Sequence, residues 1–129
     1  MISRTILLAF GLASSAATAA IAGADDYGFE PVTATVQKGD DVTIGVRLVH
    51  KSMNKPVPDA VIAKARIDMA PDGMPTMDSP LTAIPSTEPG TYSFKTSFPM
   101  AGRWQLSIAA KVQGEPETIV GKVTYTVSP

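Results

Sequence analysis

From about residue 30 onward this chain alternates apolar and polar residues with period two, and Pro, Gly, Asn or Asp interrupts the alternation at intervals of roughly a dozen residues. A period of two lines one face of a strand; it cannot line one face of a helix. No segment carries a capped i, i+3, i+4, i+7 apolar stripe, so helix content should be small. The chain also has no cysteine. No disulfide can stand in for a core, so the strands must bury a real one by packing.

Val32, Ala34 and Val36 open the pattern, and Lys38-Gly39-Asp40-Asp41 reads as a turn. Val42, Ile44, Val46 and Leu48 share a face of the next strand, with His50 in phase at its end. After Asn54-Lys55-Pro56-Val57-Pro58, the residues Val61, Ala63, Ala65, Ile67 and Met69 share a face, with Lys64, Arg66 and Asp68 opposite. A Pro/Gly/Met segment follows, with a short edge strand expected near Leu81 to Ile84. Tyr92, Phe94, Thr96 and Phe98 then alternate, as do Trp104, Leu106, Ile108, Ala110 and Val112, and finally Ile119, Val123, Tyr125 and Val127 with Gly121 in phase. About seven strands in one antiparallel stack predict an all-β, immunoglobulin-like sandwich with Trp104 as its central plug.

The N-terminus reads as an export signal: Arg4, then an apolar run from Ile6 to Leu12, then small residues ending in Ala22-Gly23-Ala24. Cleavage after Ala24 is expected, leaving residues 25–129 as one domain of roughly 105 residues in the periplasm. The alternative is a retained membrane anchor, although much of the segment is Ala, Ser, Thr and Gly. The net charge is −1 and there is no basic run, so nucleic acid is not an expected partner.

Pro89-Gly90-Thr91-Tyr92-Ser93-Phe94, followed by Phe98-Pro99-Met100-Ala101-Gly102-Arg103-Trp104-Gln105-Leu106, resembles the YtkA-like/FixH-like family of small exported or membrane-anchored immunoglobulin-like domains. The family pattern joins a PGxYxF strand, a PMAGxWxL hairpin and an upstream methionine-containing loop, here Met69 to Met77. The resemblance covers approximately Phe29 to Val112. It implies copper handling, since FixH-like proteins are linked to assembly of copper-containing oxidases and YtkA-like domains occur with heavy-metal efflux components. The chain differs from the FixH type in its signal-like N-terminus.

The residues themselves point to the same ion. A thioether is a neutral, soft ligand that survives in an oxidising compartment, and soft donors select copper(I) over zinc. Met74 and Met77 lie beyond the third strand, between Gly73, Pro75, Asp78 and Pro80, in an expected exposed loop. They could converge on one ion or form an apolar tip folded over the sandwich end. Met69 sits in an inward phase and reads first as core filler. Met100 begins the last hairpin and could face the same end or cap the core. His50, the single histidine, is a rim residue or a further ligand; whether it shares an end with Met74 depends on strand direction. Asp68, Asp72 and Asp78 could neutralise a bound ion from outside its ligands; they lack calcium-loop spacing.

Catalysis finds no support: there is no cysteine nucleophile, no Gly-x-Ser-x-Gly elbow and no Gly-rich phosphate loop. Two functions remain. One is a periplasmic accessory protein that binds copper(I) through loop methionines and delivers it to a membrane-protein or metalloprotein partner. The other is a non-catalytic module that docks such a membrane protein without metal. A small-ligand binder is a third class, for which no cleft signature is seen.

Overall fold

In a computed structural model, described for residues 26–129, the chain folds as two packed sheets. The export signal and its cleavage after Ala24 lie outside the described residues. The first sheet holds β1 (Tyr27–Pro31), β3 (Gly39–His50), β8 (Thr91–Phe98) and β7 (Thr82–Ile84) in that spatial order, with β4 (Lys55–Pro56) also on β3. The second runs β2 (Thr35–Gln37), β10 (Ile119–Ser128), β9 (Gly102–Lys111), β5 (Val61–Met69) and β6 (Met74–Ser79). All pairings are antiparallel except β2 with β10, which is parallel. Among the described residues, no helix is long and apolar enough to cross a membrane.

The alternation decides the core. Ile44, Val46 and Leu48 of β3 and Phe94 and Phe98 of β8 face Trp104, Leu106 and Ile108 of β9 and Val123, Tyr125 and Val127 of β10, all buried. Trp104 is fully buried, its ring 5.2 Å from that of Phe98, and its indole N–H donates to the Met100 carbonyl at 3.1 Å. That bond satisfies the one polar atom of the indole. Tyr125 donates across the sandwich to the Gly45 carbonyl at 2.6 Å. Gly121 faces the core in the phase of β10, and only glycine fits there, since a Cβ would fall 2.5 Å from the Phe29 ring of the opposite sheet.

Three local expectations are corrected. The strand expected from Val32 forms only over Thr35–Gln37, as β2 on β10, and the unexpected β1 before it pairs with β3 in the other sheet. Alternation fixes which face is apolar but not which sheet a short strand joins. Lys38-Gly39-Asp40-Asp41 is not a free turn. β3 already begins at Gly39, and its register against β8 shifts between Gly39 and Val42. In β5 the register shifts between Ile62 and Lys64, so Ala63 is an inserted residue. An insertion of one flips everything before it to the other face. Ile62 therefore packs on the core, while Val61 stands 64% exposed. Ala65, Ile67 and Met69, beyond the bulge, keep the inward phase.

The edge strands β6 and β7 are blunted against edge-to-edge pairing. β6 carries Pro75, which offers no backbone N–H. β7 is three residues long and lies between Pro80 and Pro85.

Candidate functional site: the methionine end of the sandwich

β5 ends at Met69, a single 3-10 turn (Ala70–Asp72) follows, and Gly73 in the left-handed region (φ 79°) reverses the chain into β6. Met74 is the register partner of Met69. The β8–β9 hairpin, with Met100 at its start, closes the same end, and Gly102 abuts both Met69 and Asp72. Met69, Met74, Met77 and Met100 are thereby brought to one end of the molecule.

Their surroundings differ. Met69 is 1% exposed and belongs to the core cluster; its Cε would lie 2.5 Å from a Cβ at Gly102. Met100 is half-buried and packs on that cluster. Met74 and Met77 are 37% and 38% exposed. The two are not in a loop, as their Pro/Gly surroundings suggested, but on edge strand β6. Two residues three apart on a regular strand face opposite ways. Here the pairing jumps from Met69–Met74 to Asp68–Asp78, leaving Pro75, Thr76 and Met77 bulged and freeing both thioethers from that constraint.

His50 is not part of this end. It closes the other end of β3, whose twelve residues place it on the order of 35 Å from Gly39, the register partner of Phe98. There the imidazole stands edge-on to Tyr27 at 4.9 Å and shares a hydrogen bond of 3.1 Å between Nδ1 and Ser52. The Tyr27 hydroxyl donates to Glu115 at 2.7 Å; burial first, and then that carboxylate, push its pKa up to about 12.

The three aspartates of the methionine end are engaged by arginines. Asp68, 6% exposed, accepts from Arg66 Nε and from the Ala70 backbone N–H, both at 2.9 Å. Arg66 also donates to Asp78 at 2.8 Å and to the Pro75 carbonyl at 2.7 Å, so one guanidinium ties β5 to the bulge. Asp72 accepts from the Arg103 backbone N–H at 2.7 Å and from its Nε at 2.8 Å, while Arg103 donates to the Pro71 carbonyl at 2.7 Å. These bonds staple the β5–β6 turn to the β8–β9 hairpin. The sequence marked the aspartates but not their arginine partners, because cross-strand pairing was not visible. Among the described residues, no group of three or more His, Cys, Asp or Glu side chains could hold a metal ion. A soft ion at this end would fall to the thioethers: Met74 and Met77 are accessible to it, Met100 is half-accessible, and Met69 is accessible only if the hairpin shifts.

The Arg103 backbone N–H, and then its guanidinium, hold the Asp72 carboxyl below the ordinary carboxylate value. A carboxyl depressed by folding contributes stability above its unfolded pKa and loses it as pH falls through the folded one. Asp72→Asn is therefore expected to melt below wild type at pH 7. The gap should close as both are acidified past about pH 4. Thermal melts followed by circular dichroism from pH 7 to pH 2 test this; a gap independent of pH would show that charge is not what the staple uses.

The fold and this end define a class: a small all-β sandwich with a methionine-bearing tip and hairpin-borne ion pairs. The chain belongs to the YtkA-like family, whose model matches residues 21–109. No curated protein matches the sequence. Among solved structures it is similar to the adhesin InvE of Yersinia pseudotuberculosis, at 18% identity and TM-score 0.50, covering 83% of this chain and 27% of that one. It is also similar to the Lin-41 filamin domain, at 18% identity and TM-score 0.46, covering 80% of this chain and 92% of that domain. For the ZirS C-terminal domain the values are 12%, 0.45, 98% and 84%. At these identities the likeness to InvE speaks to fold alone.

Proposed function

We propose that this domain is a non-catalytic binding protein, exported to the periplasm, that takes up copper(I) at its methionine end and passes it to a membrane-protein or metalloprotein partner. The observation that carries this is the placement of four methionines at one end, with Met74 and Met77 exposed on a bulged edge strand beside the buried Met69. Copper(I) is cargo here. Met74 and Met77 would hold it, with Met100 as the nearest further donor. Few, neutral and accessible donors suit exchange with a partner better than permanent storage. Membership of the YtkA-like family supports the same reading through its link to copper handling.

Anaerobic titration calorimetry with copper(I) tests it. Met74→Leu/Met77→Leu removes two donors at nearly constant volume, so the fold should survive. Affinity should fall about 100-fold or more, since even substitutions outside a metal's direct ligands can cost that much. Equal binding by the two proteins would overturn the copper reading and leave a docking module without metal.

A further inference from the structure

A groove of about 420 Å³ runs along β9 on the outer face of the second sheet, its Arg66 wall reaching the clamp on the β6 bulge. Two cross-strand rows line it: Lys64–Ala109–Val120 and Arg66–Ser107–Lys122. Ser107 and Ala109 are short, so the side chains of β5 and β10 stand as walls over a low floor. Strands about 4.8 Å apart put those walls roughly 10 Å from one another, enough for one extended chain. In the next row, Val61 lies opposite Lys111, turned outward by the β5 bulge. Val61 and Val120 are 64% and 70% exposed, more than any other large apolar side chain among the described residues.

The charge on this face is segregated. The chain as a whole carries −1, yet Lys64, Arg66, Lys111 and Lys122 gather here. Arg66 is neutralised by Asp68 and Asp78. None of the three lysines forms an ion pair among the described residues, and all three are exposed.

We propose that this groove docks an extended acidic peptide segment of a protein partner. A small apolar side chain of the segment lies over Ser107 and Ala109, beside Val120, and its carboxylates pair with Lys64, Lys111 and Lys122. The charge pattern selects an anionic occupant and steers its approach. The concave floor, and the lack of any aromatic side chain among its lining residues, favour an inserted chain over a flat bilayer, whose surface anchors are typically Trp and Tyr. The proposal does not depend on copper.

Fluorescence anisotropy with the labelled octapeptide Glu-Ala-Asp-Val-Glu-Ala-Asp-Val tests it, with the Gln/Asn version as control. Saturable binding to the acidic peptide alone, weakened by salt, is expected. Lys64→Glu/Lys122→Glu should bind at least about tenfold more weakly. Ala109→Lys should also weaken it, because it fills the groove while adding a positive charge. Met74→Leu/Met77→Leu should bind as wild type does, which separates this face from the copper end. Absence of saturable binding, tighter binding by Ala109→Lys, or binding to phosphatidylglycerol vesicles in place of the peptide would each overturn the proposal.

Discussion

Trp104→Ala is expected to lower the melting temperature of this domain by roughly 15–30 °C. The indole is fully buried, lies 5.2 Å from the Phe98 ring, and donates its only polar hydrogen to Met100. Truncating a buried Trp to Ala costs about 3–5 kcal/mol, from lost apolar burial and from the cavity left behind. A domain of this size shifts by about 4–8 °C for each kcal/mol. Since small domains hold only about 5–15 kcal/mol in total, this one change removes a large share. Trp104→Phe separates the two contributions. It keeps most of the apolar area but leaves the Met100 carbonyl without its donor, which by itself costs about 1–3 kcal/mol. Thermal and urea melts of both variants decide the matter. If Phe destabilised as much as Ala, the hydrogen bond and not the plug would hold the two sheets together.

The inward set around Trp104 was legible because period two is a property of the backbone, and every residue in β8, β9 and β10 obeys it. Ile44 to Leu48, Phe94 to Phe98 and Ile119 to Val127 are buried where alternation places them. What alternation does not encode is insertion. The bulge at Ala63 sent Val61 outward and Ile62 inward, and nothing in the run Val61-Ile62-Ala63-Lys64 marks which residue is extra. The same limit hid β6. Met74-Pro75-Thr76-Met77 has a proline and no clean alternation, so it reads as loop, yet hydrogen bonding to β5 and the Arg66 clamp draw it into the sheet edge. Site residues divide along the same line. That Met74 and Met77 would be exposed, and Met69 inward, followed from phase and composition. That Asp68, Asp72 and Asp78 are engaged by Arg66 and Arg103, and that His50 closes the opposite end, depends on long-range pairing that one sequence does not display.

Gly102→Ala is expected to lower the melting temperature by roughly 10–20 °C, although it adds a single methyl group. Gly102 opens β9 at φ 143°, a region where a side chain costs about 1–3 kcal/mol. The new Cβ would fall 2.5 Å from Met69 Cε and 2.6 Å from Asp72 Oδ2. Neither neighbour yields freely. Met69 is 1% exposed with core on its other sides, and Asp72 is fixed by two bonds from Arg103. Overpacking of this kind adds about 1–3 kcal/mol. A double-mutant cycle identifies the obstacle. Met69→Leu withdraws the terminal methyl at a cost below about 1.5 kcal/mol by itself. In the Gly102→Ala background it should restore part of the lost stability, so the double variant melts higher than the sum of the singles predicts. Strict additivity would mean that Met69 does not press on the hairpin. The obstacle would then be Asp72, whose Oδ2 would lie 2.6 Å from the new Cβ, and Met69 would remain core with no part in the closure of the hairpin.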